Sequence, residues 1–299
     1  MKPEVLGPVR DEFMQEAASL RKNSIQPRSI TPDNVYQEAN VTNRAIIHKV
    51  LDELILPGSG LLHHENIVDL YERSQDGASC LILMEHYSNF DIPCLYYLLE
   101  QRGLKNIADE VVAIAGMKLT EESEFVNAFA EAYTRIVIYP SRSLARFVDD
   151  EELRQERLRS SQINMAATRQ MIRLKHEGKM VLVFPSGTRY REGQPDTKRG
   201  VKEVDSYLKL FDYAVLVGIA GNVLRIHPDG DMSKDLATRD LVLLNVSQPF
   251  NCREFRDTAR ANTPRDKDPK QQAADRVMEE LEKVHEETET ERRRRLSHT

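Results

Sequence analysis

The sequence lacks any excess of basic charge. It has 42 lysines and arginines against 48 aspartates and glutamates, for a formal net charge of -6. Nucleic-acid-binding proteins usually carry a basic excess that neutralises phosphates, so nucleic acid is not an expected partner. Cysteine is also scarce. Cys80, Cys94 and Cys252 are far apart and have no metal-ligand spacing, which indicates reduced thiols and predicts no metal site.

Long apolar runs are missing as well. No segment approaches the roughly 18 to 20 apolar residues that a membrane-spanning helix needs. Residues 1–10 contain no apolar core of a secretory signal, and no repeat with a period of about 20–50 residues is visible. We therefore expect a cytoplasmic protein, or one of a similar soluble compartment such as the plastid stroma, whose contact with a membrane is peripheral.

What is present is an alternation of apolar segments of strand length with helical patterns, starting near residue 78. The predicted strands are 79–84, 111–115, 135–138, 180–184, 214–219 and 241–246, and the predicted helices are 92–102, 122–133, 149–177 and 202–211. This order predicts an α/β fold, with a mostly parallel mixed sheet flanked by helices. In such sheets, ligands bind beyond the carboxyl ends of the strands.

The two ends of the chain differ from this central part. Residues 1–60 predict a small N-terminal helical subdomain, with one helix over 11–22 and a second that starts at Thr31-Pro32-Asp33 and ends before Pro57. Residues 61–260 would form the α/β domain. Residues 261–299 predict a charged linker and a C-terminal amphipathic helix over 271–285, with a solvated His285 and a disordered arginine run at 292–295.

A first candidate site follows the strand 79–84 directly. His86 stands at the carboxyl end of that strand, and Asp91 lies near the start of the next helix. The turn between them is short enough for Asp91 to accept a hydrogen bond from the imidazole, which would leave the other ring nitrogen as a base. The alternative is a loop histidine that is capped by an aspartate without any chemistry.

Two further candidates also stand where strands end. After the strand 180–184, the turn residues Ser186, Gly187 and Thr188 are followed by Arg189 and Arg191, a pattern that suits bidentate binding of a phosphate. Arg142 follows the strand 135–138 and Pro140. The alternative interpretation of both segments is a turn with solvated arginines.

The first two segments together resemble the signatures of the glycerolipid acyltransferase family. One signature is a histidine, four residues and an aspartate, here His86 to Asp91, with Ser88 also matching. The other is Phe-Pro-Glu-Gly-Thr-Arg, here residues 184–189, about one hundred residues further on. Ser186 replaces the usual glutamate, and Glu85 stands where many members have asparagine. The Pro-Ser-Gly sequence at residues 185–187, followed by two arginines that are separated by one residue, is most similar to the soluble, chloroplast-type glycerol-3-phosphate acyltransferases.

The resemblance implies a glycerol-3-phosphate 1-O-acyltransferase, which would use acyl-carrier protein or coenzyme A thioesters as co-substrates and no cofactor. It implies that residues 61–260 are the catalytic domain, that His86 is the general base and that Asp91 orients it. It also implies that Arg189, Arg191 and Arg142 bind the substrate phosphate. Backbone amides near Gly187 or at a helix N-terminus are expected to stabilise the oxyanion. A lysophosphatidate acyltransferase is the alternative, and a thioesterase is disfavoured because water needs no phosphate site.

Overall fold

The computed structural model describes residues 2–27, 29–121 and 123–298, apart from the side chains of Glu121, Arg142 and Ala145. The strands within these ranges are β1 (Glu4–Pro8), β2 (Tyr36–Gln37), β3 (Gly60–Leu62), β4 (Cys80–Met84), β5 (Val111–Gly116), β6 (Arg135–Ile138), β7 (Met180–Val183), β8 (Tyr213–Ala220), β9 (Leu224–Arg225), β10 (Leu236–Arg239), β11 (Leu243–Val246) and β12 (Phe250–Asn251).

The α-helices within the same ranges are α1 (Val9–Glu12), α2 (Met14–Lys22), α3 (Val41–Leu54), α4 (Glu65–Gln75), α5 (Asp91–Gln101), α6 (Lys105–Asp109), α7 (Lys118–Glu121), α8 (Glu124–Ala130), α9 (Asp150–Lys175), α10 (Val204–Leu210), α11 (Cys252–Ala261) and α12 (Pro269–Ser297). Short 3₁₀ helices cover Ser141–Arg146, Pro195–Lys198 and Met232–Lys234.

The main sheet has the strand order β2-β6-β5-β7-β4-β8-β11-β3, and β12 also pairs with β8. The five central strands, from β6 to β8, run parallel to one another. The strands β2 and β11 are antiparallel to their neighbours β6 and β8. The predicted mostly parallel mixed sheet is therefore confirmed, and its central strands end at one edge, where β4 leads into His86.

Helices cover both faces of this sheet. Along β4, Ile82 and Met84 belong to one apolar core, which also contains residues of α3, α4, α5 and α6. Leu81 and Leu83 belong to a second core on the opposite face, with residues of α9, α10, α11 and α12. Successive strand residues point to opposite faces, so a continuous apolar strand such as β4 fills two cores at once.

All six predicted strands are present, and their ends agree with the structure to within two residues. The four predicted helices of the central region appear as α5, α8, α9 and α10. The predicted start of α8, residue 122, lies outside the described residues. Helix α8 itself begins after Ser123, whose side chain accepts a hydrogen bond from the amide of Val126. The three cysteines are free and buried.

The second N-terminal helix was predicted to start too early. Residues 31–40 are not helical, and α3 begins at Val41 with Asn40 as its cap. The side chain of Asn34 accepts from the amide of Thr31 and donates to the carbonyl of Ser29, which makes a local turn that competes with a helix. Tyr36–Gln37 instead pair with β6 at the edge of the sheet.

The first predicted helix, over 11–22, is divided into α1 and α2 at Phe13, which has φ -121° and ψ 50°. Strand β1, which the sequence did not indicate, precedes it and pairs with β10 in a second sheet of order β1-β10-β9. Residues 4–54 thus contain both helices and short strands. The division of the chain into domains stays a prediction.

The prediction of a disordered arginine run was wrong, because α12 continues to Ser297. Arg292 is ion-paired with Asp240 at 2.5 Å and donates to the carbonyl of Leu241, and Arg295 donates to the carbonyl of Gly58. These contacts attach the end of the helix to the loops around β11. Among the helices in the described ranges, none combines the length and the apolar character needed to cross a bilayer.

Candidate active site

The side chains of His86 and Asp91 meet at the carboxyl end of β4. Nδ1 of His86 lies 2.9 Å from Oδ2 of Asp91. The same carboxylate oxygen accepts hydrogen bonds from the backbone amides of Tyr87 at 2.7 Å and Ser88 at 2.9 Å. Because these amides can only donate, this carboxylate oxygen is the acceptor in both bonds. Asp91 then accepts the proton on Nδ1, and Nε2 of His86 keeps its lone pair.

Ser88 completes the turn that brings these two residues together. Its hydroxyl donates to Oδ1 of Asp91 at 3.0 Å and accepts from the amide of Phe90 at 3.0 Å. Ser88 is 2% exposed and Asp91 is 5% exposed, so water does not compete for these bonds. Ser88 therefore supports the orientation of the aspartate, and its hydroxyl is already engaged within the turn.

The second predicted segment packs directly against the first. The ring of Phe184 is stacked on the imidazole of His86, with centroids 3.8 Å apart and planes at 6°. The amide of Tyr190 donates to the backbone carbonyl of His86 at 2.7 Å. Parallel pairing of β4 with β7 places the ends of these strands side by side, which explains why the two segments meet. Phe184 restricts the plane of the imidazole, a contact that the sequence pattern did not indicate.

Two internal hydrogen bonds close the turn after β7. The amide of Gly187 donates to the carbonyl of Phe184 at 2.9 Å, and the hydroxyl of Ser186 donates to the carbonyl of Thr188 at 2.7 Å. Gly187 has φ +60°, in the left-handed region that glycine adopts at little cost. The amide of Gly187 therefore closes the turn. The expectation of an oxyanion donor among the amides near Gly187 or at a helix N-terminus stays a prediction.

The three arginines of the sequence prediction have different surroundings. Arg189 is 7% exposed, and its guanidinium is ion-paired with the fully buried carboxylate of Asp235. Burial raises the pKa of Asp235, although Arg189 and the amide of His227 oppose this shift. Arg191 is half-buried, and its amide donates to the hydroxyl of Thr197. Arg142 lies in the 3₁₀ helix Ser141–Arg146, and its side chain is outside the described part of the structure.

A cavity of about 810 Å³ begins beside His86. Strand β5 pairs with β7 only through Val111–Ala113 and then with β6 through Ala113–Gly116. The carboxyl ends of β5 and β7 therefore separate, and the cavity occupies the gap between them. His86, Ser88 and Gly187 line it, whereas Arg189 and Arg191 do not. The structure thus brings the imidazole and the turn to the cavity, and the two arginines are not among its lining residues.

The wall of this cavity is mainly apolar. Beyond His86, its lining includes side chains from the strands and from α8, α9 and α10, among them Ala115, Phe129, Ile136, Ile138, Met171, Val183 and Leu210. The lining also includes the cationic residues Lys118, Arg135 and Lys209. Ligand pockets typically combine an apolar wall with a few placed polar groups and measure roughly 300–1,000 Å³, and this cavity fits that description.

The other side of His86 holds a polar cluster that sequence reasoning missed. Glu85 is 4% exposed and accepts from the amide of Ile219, from the hydroxyl of Tyr87 and from Nδ1 of His285. His285 was expected to be solvated, but α12 packs it against this carboxylate. Burial disfavours the imidazolium, yet the hydrogen bond and charge of Glu85 outweigh burial and raise the pKa of His285. The sequence signal for this cluster was Glu85 itself, which stands where many members of the family have asparagine.

The comparisons with known proteins agree with the geometry at the level of the family. The family model described as Acyltransferase matches residues 66–240, which include β4, the His86–Asp91 pair, the turn after β7 and most of the cavity wall. A search of curated proteins found no match. The match covers more than half of the chain and contains both of the segments that meet at the cavity. The chain belongs to the Acyltransferase family.

Proposed function

We propose that this protein transfers a fatty acyl group from a thioester to the sn-1 hydroxyl of glycerol 3-phosphate. The observation that carries the proposal is the position of His86, whose Nδ1 is bound to Asp91 and whose ring borders a large apolar cavity. A base at the opening of an apolar cavity suits a reaction between a polar alcohol and an acyl chain. The reaction needs a polar site for the alcohol and an apolar site for the acyl chain within a few ångströms of each other.

In the proposed reaction, Nε2 of His86 accepts the proton of the acceptor hydroxyl while the hydroxyl oxygen attacks the thioester carbonyl. The carbon–oxygen bond forms, and the carbonyl oxygen becomes negatively charged. Asp91 stabilises the imidazolium that results, because its buried carboxylate remains hydrogen-bonded to Nδ1. Collapse of the intermediate breaks the carbon–sulfur bond. The thiolate then leaves without a separate general acid and takes the proton from the imidazolium.

The apolar wall of the cavity would hold the acyl chain. Small residues on β5, such as Ala113, Ala115 and Gly116, leave room between β5 and β7, and larger apolar side chains from α9 and α10 cover the gap. An acyl chain in this space would place its thioester carbon near His86. The thiol part of the donor, either coenzyme A or acyl-carrier protein, would then lie outside the cavity.

In this proposal, Arg191 binds the phosphate of the acceptor and Arg189 assists it. Arg142 is included only because the sequence resemblance implies it. Asp235 holds the guanidinium of Arg189 in a fixed position, so Arg189 supports the site through placement and charge. Arg191 is two residues further along and more exposed. The amide of Tyr190, between them, donates to the carbonyl of His86, which holds the backbone of this segment next to the base. A phosphate at this position would direct a glycerol hydroxyl toward His86.

The experiment is an acyl-transfer assay with radiolabelled palmitoyl thioesters, run with glycerol 3-phosphate, with lysophosphatidate and without acceptor. We expect label in lysophosphatidate when glycerol 3-phosphate is the acceptor. Label only in phosphatidate would show that lysophosphatidate is the acceptor, and free fatty acid at equal rates in all three arms would show a hydrolase. His86→Ala should abolish transfer, whereas His64→Ala, a change at a half-buried histidine of α4's N-terminus, should not.

A further inference from the structure

Helix α9 carries an apolar stripe on its exposed face. Leu158, Met165 and Ile172 are 60%, 51% and 40% exposed. They are seven residues apart, so they lie along one side of the helix, close to two full turns from one to the next. The stripe is about 21 Å long, from a rise of 1.5 Å per residue. We call Leu158, Met165 and Ile172 the α9 stripe.

The α9 stripe runs past an opening of the cavity. Thr168 and Lys209 line the cavity and are themselves exposed, so they mark a place where it reaches the surface. Thr168 stands three residues after Met165 and four before Ile172 on the same helix. Side chains at these spacings are neighbours on a helix surface. The stripe and the opening therefore form one continuous surface.

The charge around the stripe is basic beyond the first turn of α9, which itself contains Asp150, Glu151 and Glu152. From Arg154 to Lys175 the sequence has six basic residues and one acidic residue, Glu156. The carboxylate of Glu156 accepts from the hydroxyl of Tyr139 at 2.7 Å and is ion-paired with Arg159 at 3.6 Å. Arg154 and Arg173 are ion-paired with Glu151 and Glu177. Arg157 and Arg169 are exposed, and the guanidinium of Arg169 contacts the sulfur of Met165. The solvent side of α9 therefore combines apolar contacts with positive charge.

We propose that the α9 stripe binds the surface of a bilayer that contains anionic lipids, with the cavity opening at Thr168 facing the lipid. A helix with apolar side chains in a line and arginines beside them lies in the interface of such a membrane, where the arginines meet anionic headgroups. The inference about the opening rests on the proposed function, since it gives the acylated product a short path into the bilayer.

The test is sedimentation of the purified full chain with vesicles, which does not depend on any enzymatic activity. One set of vesicles contains phosphatidylglycerol in phosphatidylcholine, and the other contains phosphatidylcholine alone. We expect the protein to bind the anionic vesicles and to bind the neutral ones more weakly. Leu158→Gln, Met165→Gln and Ile172→Gln combined should lower the vesicle partition coefficient by about tenfold or more, because three apolar contacts with lipid are removed.

A matched control is available elsewhere on the surface. Met14, Ile25 and Val41 are also exposed apolar residues, at 67%, 76% and 60%, and they lie outside α9. The triple change of these residues to glutamine should leave vesicle binding unchanged. Because glutamine is a good helix former, α9 should stay folded, and circular dichroism and the urea midpoint of both triple variants check this.

The proposal is overturned if the α9 variant binds anionic vesicles as well as the unaltered protein does. It is also overturned if the unaltered protein does not bind anionic vesicles. If, in addition, the α9 variant loses binding to an acidic acyl-carrier protein, the stripe is a surface for that protein instead. Vesicle binding that depends on the stripe, in a protein with no acyl transfer, would support the surface and contradict the proposed function. Acyl transfer from a water-soluble thioester should be equal in both triple variants, which separates the two outcomes.

Discussion

Nδ1 of His285 lies 3.0 Å from Oε2 of Glu85, the residue that immediately precedes His86. His285 belongs to α12, which follows the residues that the family model matches. The contact thus connects a C-terminal helix outside the matched region to the start of the His86–Asp91 turn. The hydroxyl of Tyr87 donates to the other oxygen of Glu85 at 3.0 Å. Helix α12 consequently supports the turn that orients the proposed base.

The ion pair of His285 with Glu85 predicts a pH-dependent contribution to stability. Because the pKa of His285 is raised above its usual 6.5 by Glu85, the stabilisation is fully present below about pH 6.5. It is lost as the pH rises through the raised pKa. The free energy of unfolding in urea should therefore differ most between the unaltered protein and His285→Asn at low pH, and the difference should shrink toward pH 9. His176→Asn, at an exposed histidine, is the control. A constant difference across the pH range would contradict the ion pair.

Close packing of α12 on β8 gives a second prediction. A Cβ atom at Gly218 would lie 2.9 Å from Cγ1 of Val284 and 3.0 Å from the backbone nitrogen of His285. Gly218→Ala should destabilise the protein by about 1–3 kcal/mol, because backbone atoms of α12 cannot yield easily. Gly60, on β3, has no atom within 4 Å of the equivalent position, so Gly60→Ala is the matched control. Equal urea midpoints for the two variants would show that α12 does not pack as described.

The proposed role of Asp91 predicts a loss in kcat with little change in KM. In Asp91→Asn, one amide oxygen can still accept from Nδ1 of His86 and from the amides of Tyr87 and Ser88, so the turn should persist. The negative charge that stabilises the imidazolium is absent, and kcat should fall by on the order of 10² to 10⁴. Asp69→Asn, which removes a partly exposed ion pair with Arg73 on α4, serves as the control. A kcat within twofold of the unaltered protein would remove Asp91 from the mechanism.

The two arginines after β7 should respond differently to removal. Arg189→Ala leaves the buried carboxylate of Asp235 without its cation and should lower the free energy of unfolding by about 3–5 kcal/mol. Arg191 is more exposed, so Arg191→Ala should leave stability within about 0.5 kcal/mol and raise the KM for glycerol 3-phosphate about tenfold or more. Urea unfolding and acceptor titrations measure both effects. A rise in the KM of the acyl donor alone would assign Arg191 to the donor.

Local patterns predicted much of the central fold because the physics there is local. Continuous apolar runs such as β4 must be buried on both faces, so they appear as strands of a parallel sheet wherever helices alternate with them. The His86–Asp91 contact was predictable for the same reason, since the turn that joins the two residues is short. The meeting of His86 with the segment after β7 followed from the rule that parallel strands end at the same edge.

The errors fall where a distant partner decides the local structure. Residues 31–40 fit a helical pattern, but pairing with β6 places Tyr36–Gln37 at the edge of the sheet. The arginine run resembles a solvated tail, yet Asp240 and the carbonyls of Leu241 and Gly58 hold it in α12. His285 looks like a surface residue because the sequence does not show that Glu85 faces it.

By itself, the sequence determined the alternation of strands and helices, the site at the strand ends and the pair of His86 with Asp91, because hydrophobic periodicity and short turns act between near neighbours. Only the tertiary structure decided that β5 leaves β7 to open a cavity, that Phe184 stacks on the imidazole and that α12 reaches Glu85. These features join residues far apart in the chain, and their energy comes from packing and from burial of charge, which no local pattern records.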